Sequence, residues 1–350
     1  MTDHDYRFSV APMMEWTDRH CRMFHRTLAP KARLWTEMVT ADAVIHGDRE
    51  RLLGFDVQEH PLVLQLGGSD PAKMAEAARI GAQWGYDEIN VNCGCPSDRV
   101  QAGTFGACLM AEPERVAACI SAMHAAVDIS VTVKCRIAID DLPERETLFG
   151  FVDRVADAGC RVFTVHARKA WLRGLSPKEN RDVPPLDYGL VEALKIARPG
   201  LLVILNGGIT SLDAASQHLT RFDGVMLGRA AYQNPALLMG VEQLLSHAEG
   251  DVGSGFRFAV PTVAEQVAAA LQYRPYIAAK LASGWGLHAM TRHMLGLFSG
   301  CRGARAWRRH LSEHAPGPSA SIAVFDDALG LMTGDDDTLA PLEDRVCRLG

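Results

Sequence analysis

Residues 61–94 read PLVLQLGGSDPAKMAEAARIGAQWGYDEINVNCG, and this stretch decides the fold class. Two apolar runs, PLVLQLGG (61–68) and YDEINVNCG (86–94), flank a segment that opens with Asp-Pro and closes at a glycine. An Asp-Pro start and a glycine end are typical of a helix. Apolar strands that alternate with helices pair in parallel. The stretch therefore predicts a strand–helix–strand unit.

The same alternation continues along most of the chain. Strand-like runs rich in Val, Ile and Leu lie at 7–13, 34–40, 61–68, 86–94, 130–138, 161–169, 201–209 and 222–229. Eight such units predict an α/β fold, a (β/α)₈ TIM barrel. The alternative is a doubly wound sheet, which usually has fewer strands and a glycine-rich first turn. The first turn here, within RFSVAPMMEWTD (7–18), lacks those glycines.

The C-terminal third has a different pattern. GDVGSG (250–255) is typical of a linker, and the segments at 263–282, 287–300 and 303–315 have helical character. We therefore expect a barrel domain over residues 1–245 and a small all-helical domain over residues 256–345.

Composition limits the class of protein. The chain is 48% apolar and 22% charged, which is a globular composition. The polar N-terminus MTDHDYRF does not resemble a signal peptide, and no apolar run approaches the roughly 20 residues that span a bilayer. Nine cysteines without a C-x-x-C pair indicate reduced thiols and disfavour a zinc ribbon. We expect a cytoplasmic protein without a metal site, and take a monomer as the default.

Charge is distributed unevenly. The formal net charge is −6, yet the segment 266–312 contains no Asp or Glu and carries seven Lys and Arg residues. One basic segment in an acidic protein favours a local anionic partner. The alternative is that the segment is an ordinary helix whose basic residues have no anionic partner.

Polar residues collect where the predicted strands end, which is where barrel active sites lie. They are Glu37, Gln65, Asn90, Asn92, Lys134, Arg136, His166, Arg168, Asn206 and Arg229. Glycine turns follow the last two strands, at Gly207-Gly208 and at Gly228, the positions at which such barrels commonly bind phosphate. A lysine among them suits a flavin, whose reduced ring carries negative charge. These features predict a phosphate-bearing cofactor.

Longer motifs carry a resemblance to a known family. They include APMMEWTDRHCR (11–22), GYDEINVNCGCPSDRVQ (85–101), HARKAWLRGLSPKENR (166–181), DGVMLGRAAYQNP (223–235) and TRHMLGLFSGCRGARAWRR (291–309). Over most of residues 7–310 the chain resembles the tRNA-dihydrouridine synthases, and the A subfamily closely. The resemblance implies an FMN-binding barrel, a helical tRNA-binding domain and NADPH-driven reduction of D-loop uridines, at positions 20 and 20a.

The resemblance also implies roles for single residues. Cys95 would be the catalytic proton donor. FMN would be held at its ring, its polar edges and its phosphate by Pro12, Met13, Gln65, Lys134, His166, Asn206, Gly207, Gly208, Gly228 and Arg229. Cys93 departs from the family pattern, which more often has Val or Ile there. We expect it to be a buried filler and both cysteines to be free thiols, because C-x-C pairs bridge only with strain.

This assignment implies a mechanism. Hydride would pass from the flavin to C6 of uracil, and Cys95, as a neutral thiol, would protonate C5. Asn92 could bond the uracil edge of a base that is flipped out of its stack. Lys178 and Arg181 follow the sixth strand, and Arg305 and Arg308 share one helical face, so all four are candidate phosphate contacts. Trp307, between the last two, is expected to be packed.

Two rival functions remain open on the sequence. One is an FMN barrel dehydrogenase that acts on a free dihydropyrimidine or dihydroorotate, which would not need the acid-free helical segment. The other is a non-enzymatic RNA-binding protein on a relict barrel, which the presence of Cys95, Lys134 and His166 disfavours.

Overall fold

A computed structural model describes residues 6–97, 104–247 and 257–333. The chain divides into two compact units, Met1–Ala259 and Val260–Gly350. The predicted linker at 250–255 lies outside the described residues.

The first unit is built on one parallel sheet of nine strands. The strands, β1 to β9 in chain order, are Phe8–Val10, Leu34–Trp35, Val39–Thr40, Leu62–Gly67, Glu88–Cys93, Ser130–Arg136, Val162–His166, Leu202–Asn206 and Gly224–Leu227. Their spatial order runs β1-β9-β8-β7-β6-β5-β4-β2, and β3 also pairs with β4.

Arg33, the residue before β2, closes this sheet into a barrel. Its N–H donates to Phe8 O at 3.0 Å, and its carbonyl accepts from Val10 N at 3.1 Å, which joins it to β1. Ser9 and Arg33 form a parallel bridge at this seam. The (β/α)₈ barrel is confirmed, since an open doubly wound sheet has no such closure.

The second predicted strand is interrupted. The run at 34–40 forms two short strands, β2 and β3, which both pair in parallel with β4. Between them the Thr36 hydroxyl, and not a main-chain carbonyl, accepts the N–H of Gln65 at 3.1 Å. This side-chain hydrogen bond takes the place of one main-chain hydrogen bond between the strands. It separates the second predicted strand into β2 and β3, so the eight predicted runs form nine strands.

Helices alternate with these strands around the barrel. They are α1 Arg19–Leu28, α2 Ala41–His46, α3 Arg49–Leu53, α4 Pro71–Trp84, α5 Pro113–Ala126, α6 Glu144–Asp157, α7 Tyr188–Ala197, α8 Leu212–Leu219, α9 Arg229–Gln233 and α10 Val241–His247. Short 3₁₀ turns add Val57–Glu59, Gly106–Ala111, Glu179–Arg181 and Pro235–Gly240.

Helix α4 begins and ends as its sequence predicts. Asp70 accepts from the N–H groups of Ala72 and Lys73 at 2.9 Å, and Pro71 occupies the first turn. Gly85 ends the helix at a φ of 95°, a left-handed conformation that glycine adopts without strain.

The second unit is helical in its described part, 260–333. It contains α11 Val263–Ala282, α12 Leu287–Thr291, α13 Ala304–His314 and α14 Ile322–Thr333. Trp307 is fully buried between Phe298 and Phe325 and donates its Nε1–H to Met294 O at 3.2 Å, so the expectation that it is packed is confirmed. Within the described ranges, no helix is both long enough and apolar enough to cross a membrane.

Close packing of α4 against the barrel yields a stability prediction. A Cβ on Gly81 would lie 2.7 Å from Leu64 and 2.8 Å from Ile89, both fully buried side chains. Gly81→Ala should therefore lower the free energy of unfolding of the barrel by about 1 kcal/mol, because overpacking outweighs the helix propensity that alanine gains.

Gly150, in the middle of α6, is the matched control because it is exposed and a Cβ there would meet nothing within 4 Å. Gly150→Ala should raise the free energy of unfolding by about 0.5–1 kcal/mol. Urea denaturation of both variants measures the two shifts, and equal shifts would contradict this account of α4 packing.

Candidate active site

The strand register brings the predicted polar residues to one end of the barrel. Asn92 lies opposite Lys134, and His166 lies opposite both Arg136 and Asn206. Alternate residues of each strand face the interior. Lys134 Nζ donates to Asn206 Oδ1 at 3.0 Å, and Asn206 Nδ2 donates to Met226 O at 2.8 Å. The lysine therefore has a defined position inside the mouth.

The loop that carries Cys95 is held from two sides. Asn92 Oδ1 accepts from the N–H groups of Gly94 and Cys95, each at 3.0 Å. Arg136 Nε donates to Gly94 O at 3.0 Å. Cys95 itself is half-buried, and its thiol lies 3.5 Å from the Ser97 hydroxyl.

Cys93 has a different environment although it lies only two residues before Cys95. Its side chain is fully buried, and that burial raises the pKa of its thiol well above the ordinary value. Both cysteines are free thiols. The expectations that Cys93 is buried and that both cysteines are free thiols are confirmed.

A chain of side-chain hydrogen bonds, which we call the amide relay, connects Asn92 with the barrel interior. Asn92 Nδ2 donates to Gln65 Oε1 at 2.8 Å, and Gln65 Nε2 donates to Asn90 Oδ1 at 2.9 Å. Asn90 Nδ2 donates to the Thr132 hydroxyl at 2.8 Å. The Thr132 hydroxyl donates to Glu88 at 2.5 Å, and Arg33 donates to the other oxygen of that carboxylate at 3.0 Å.

Basic groups surround His166 at the mouth. Loss of hydration, together with Arg136, Lys134, Arg168 and Arg181, lowers the pKa of His166 well below its ordinary value, so the imidazole is neutral at pH 7. Loss of hydration and the nearby Arg136 also lower the pKa of Lys134 to about 8. Lys134, Arg136 and Arg181 all lie within electrostatic reach of Cys95.

The Gly207-Gly208 turn after β8 is a candidate anion site in which the backbone carries no side chain. Gly207 and Gly208 have φ values of 109° and 72°, and added Cβ atoms would lie 2.5 Å from His166 and 2.4 Å from Leu186. Arg168 lies nearby, and its buried Nε has no hydrogen-bond partner among the described residues. Side-chain-free backbone, a neutral histidine and a surplus of cations fit a phosphate-bearing cofactor with an anionic ring.

Arg229 is engaged in this structure. Its guanidinium donates to both oxygens of Asp182 at 2.7 and 3.2 Å. Gly228, before it, has a negative φ, and a Cβ there would make ordinary contacts with Ala11 at 3.6 Å and Met13 at 3.8 Å. The predicted phosphate contacts of Gly228 and Arg229 stay predictions.

The loop after β1 carries Pro12 and Met13, both half-buried. Met13 packs against the apolar cluster in the barrel interior, and its N–H donates to the Thr17 hydroxyl at 2.9 Å. Trp16, from the same loop, stacks on Tyr232 at 4.3 Å between ring centroids. This stack joins the loop after β1 to helix α9, which follows β9, and no sequence signal indicated it.

One further loop residue at this rim, Glu15, stores backbone strain. Glu15 has a φ of 65°, and its N–H donates to a Glu37 carboxylate oxygen. A positive φ in a residue other than glycine is uncommon and is typical of functional sites.

Arg136 connects two loops of the mouth, a role that the sequence did not assign to it although it placed the residue at a strand end. Besides Gly94 O, it donates to Asn180 O at 2.8 Å and to Lys169 O at 3.2 Å. Asn180 precedes Arg181, a predicted tRNA contact, so one guanidinium positions the Cys95 loop and the Arg181 segment together. Its spacing of two from Lys134 was the available signal, because strand residues two apart share a face.

The four predicted phosphate contacts are exposed. Lys178 precedes the 3₁₀ turn Glu179–Arg181 and Arg181 ends it, whereas Arg305 and Arg308 lie on α13 of the second unit. Among the described residues, no group of His, Cys, Asp and Glu could hold a metal ion.

The lowered pKa of Lys134 predicts a pH dependence of stability. The folded protein releases this proton at about pH 8, whereas the unfolded chain keeps it up to about pH 10.5. Because the unfolded state then binds more protons, stability rises with pH over this window. The free energy of unfolding of the cofactor-free protein, relative to Lys134→Met, should increase by on the order of 3 kcal/mol between pH 8 and pH 10.5.

Chemical denaturation at a series of pH values measures this difference, and the exposed Lys178→Met variant serves as the control. A difference between native protein and Lys134→Met that stays flat across the window would contradict the assigned environment of Lys134.

Comparison with known proteins supplies the family. The family model for dihydrouridine synthase matches residues 9–327. A tRNA-dihydrouridine(20/20a) synthase of Xanthomonas campestris is 57% identical over 322 residues, 92% of each chain. Enzymes with the same name from Yersinia pestis and Vibrio cholerae are 53% and 52% identical, over 93% of this chain and 92% and 96% of theirs. Because the family model matches most of the chain and these relatives are more than half identical to it, the chain belongs to the dihydrouridine synthase family.

Proposed function

We propose that the protein is a tRNA-dihydrouridine synthase that reduces uridines 20 and 20a of the D-loop, with FMN in the barrel mouth and NADPH as reductant. The observation that carries the proposal is Cys95, a half-buried thiol whose loop is fixed by Asn92 and Arg136 beside Lys134. The names of the relatives from three genera support the two positions in the D-loop.

The mouth suits FMN at both ends of the molecule. Gly207 and Gly208 offer backbone N–H groups to its phosphate, with Asn206, Gly228 and Arg229 nearby in the chain. Gln65, Lys134 and His166 would face its polar edges, and Pro12 and Met13 its ring. Held by these residues, FMN would supply the hydride that reduces C6 of the uracil.

The protein's own residues then manage charge and protons. Lys134, with its pKa lowered to about 8, binds a proton more strongly once negative charge lies beside it, and so stabilises that charge. His166 stays neutral among the cations and can donate one hydrogen bond without adding charge. The Cys95 thiol donates its proton to C5 of the uracil, and the fixed loop holds its backbone while it does so.

Asn92 has two tasks in this proposal. Its Oδ1 is occupied by the N–H groups of Gly94 and Cys95. Its Nδ2 makes one hydrogen bond to described residues, to Gln65, and so keeps a second hydrogen for the uracil edge. The same amide would position both the proton donor and the base.

The tRNA is assigned to two surfaces. Lys178 and Arg181 would contact phosphates at the barrel mouth, and Arg305 and Arg308 would contact them from the helical domain, proposed as residues 256–345. Phosphate contacts set affinity and register, whereas the flipped base enters the mouth of the barrel domain, proposed as residues 1–245. Action on tRNA is consistent with a cytoplasmic protein.

Replacement of the proton donor tests the chemistry. Cys95→Ala should reduce the rate of dihydrouridine formation on unmodified tRNA by about 10²–10⁴-fold, since general acid catalysis typically contributes this much. Binding of FMN and its reduction by NADPH should persist, because neither uses the thiol. Sequencing of the treated tRNA locates the reduced uridines, and stopped-flow absorbance follows the flavin.

Cys93→Ala is the matched control, because this cysteine is buried in the same strand–loop segment. It should keep the rate of the native enzyme. Equal turnover by Cys95→Ala would remove Cys95 from its role, and reduction of free uracil in preference to tRNA would favour the small-molecule dehydrogenase.

Neutralisation of the helical-domain arginines tests the tRNA surface. Arg305→Gln/Arg308→Gln should weaken tRNA binding and reduce the slope of log affinity against log salt by about 2, one unit for each lost phosphate contact. Filter binding or fluorescence anisotropy at several salt concentrations measures the slope.

Arg79→Gln/Arg154→Gln provides the control, since both arginines are exposed and pair with glutamates on barrel helices. An unchanged slope in the Arg305/Arg308 variant would show that this helix face does not contact phosphate.

A further inference from the structure

The amide relay has a single direction. An ionised carboxylate only accepts hydrogen bonds, so the Thr132 hydroxyl has to donate to Glu88. The oxygen of Thr132 then accepts, and Asn90 has to present Nδ2 to it. This orientation leaves Asn90 Oδ1 facing β4.

The remaining steps follow from the first. Asn90 Oδ1 requires a donor, which Gln65 supplies through Nε2. Gln65 therefore turns Oε1 towards Asn92, which donates through Nδ2. Asn92 is left with Oδ1 facing the Cys95 loop, and this oxygen accepts the N–H groups of Gly94 and Cys95.

The far end of the relay is anchored by charge. Glu88 and Arg33 are 1% and 2% exposed, and Arg33 Nη1 donates to Glu88 Oε2 at 3.0 Å. Tyr6 also bonds the carboxylate, and its ring lies against the Arg33 guanidinium at 4.5 Å. Burial raises the pKa of Glu88, whereas Arg33 and the hydrogen bonds from Thr132 and Tyr6 oppose that rise. The carboxylate stays an acceptor, because a neutral Glu88 would leave the Arg33 charge buried and unpaired.

We propose that the Arg33–Glu88 pair and Thr132 are positioning residues for the Cys95 loop, acting through the amide relay to set which atom of Asn92 faces that loop. None of the three needs to contact substrate or cofactor. The inference rests on the proposed function, since it concerns the proton donor of that reaction.

Reversal of the relay has a defined consequence. If the hydroxyl of Thr132 is lost, Asn90 Nδ2 no longer has a fixed acceptor. The side-chain amides of Asn90, Gln65 and Asn92 can then rotate by about 180°, which exchanges the positions of their oxygen and nitrogen atoms. Asn92 would then present Nδ2 hydrogens to the N–H groups of Gly94 and Cys95. Two hydrogen-bond donors that face each other repel, so the Cys95 loop would move away from Asn92. The Cys95 thiol would be displaced with the loop.

Thr132→Val tests the proposal, because valine keeps the shape and removes the hydroxyl. Transfer to tRNA, measured in single turnovers of the pre-reduced enzyme, should slow by about tenfold or more, since small displacements of a reacting group are costly. Flavin reduction by NADPH should keep its rate, and KM for tRNA should change little. Thr132→Ser restores the hydroxyl and should restore the rate.

Thr164→Val is the matched control. Thr164 is likewise buried, on the neighbouring strand β7, with 3% exposure, and its hydroxyl does not belong to the relay. This variant should keep the native rate of transfer to tRNA. Equal slowing by Thr132→Val and Thr164→Val, or failure of Thr132→Ser to restore the rate, would overturn the proposal.

A double-mutant cycle separates positioning from general damage. In a Cys95→Ala background, Thr132→Val should cause a much smaller loss of the residual rate than in the native enzyme, because the part of its effect that acts through the thiol is then absent. A full additional loss in that background would overturn the proposal.

A second variant covers the case in which Thr132→Val does not fold. Arg33→Gln/Glu88→Gln removes the ion pair without leaving a buried charge, and it should slow transfer to tRNA while leaving flavin reduction unchanged. Native transfer in this variant would overturn the proposal. If the native enzyme reduces no uridine in any tRNA, it is the proposed function that fails.

Discussion

Arg33 connects the closure of the barrel with the order of its interior. Its main chain joins β1 at the seam, and its side chain pairs with Glu88 inside. A buried ion pair adds little net stability, because loss of hydration offsets the attraction, yet removal of one partner typically costs about 3–5 kcal/mol. The pair therefore acts as a constraint on structure: it requires a closed barrel around it, and it determines how the polar groups above it are oriented.

The mouth of the barrel is electrostatically different from the chain as a whole. The net charge is −6, but Lys134, Arg136, Arg168 and Arg181 all act on His166. Loss of hydration lowers the pKa of Lys134 and of Arg136, which means that keeping each side chain in its charged form has a cost in free energy. An anionic ligand relieves that cost, so the cluster matches a phosphate-bearing, negatively charged cofactor better than an uncharged one.

Local patterns were sufficient for much of the fold and for part of the site. The capped segment at 70–85 is a helix, and the eight apolar runs are the eight positions of the barrel, because caps and strand periodicity act over a few residues. Lys134 and Asn206 meet at the strand ends as that reasoning predicts. The break at Thr36 and the stack of Trp16 on Tyr232 could not be read, since each depends on a partner from a distant loop or strand.

The elements, their alternation, the residue types at the strand ends and the family all follow from the amino-acid sequence alone. Only the tertiary structure decided the environment of each group: that Cys93 is buried while Cys95 is reachable, that Arg136 ties two loops together, and that Asn92 turns its oxygen to the Cys95 loop. Hydrogen-bond direction and pKa depend on atoms a few ångströms apart. In a parallel barrel those atoms come from strands far apart in the chain, so no local pattern can encode them.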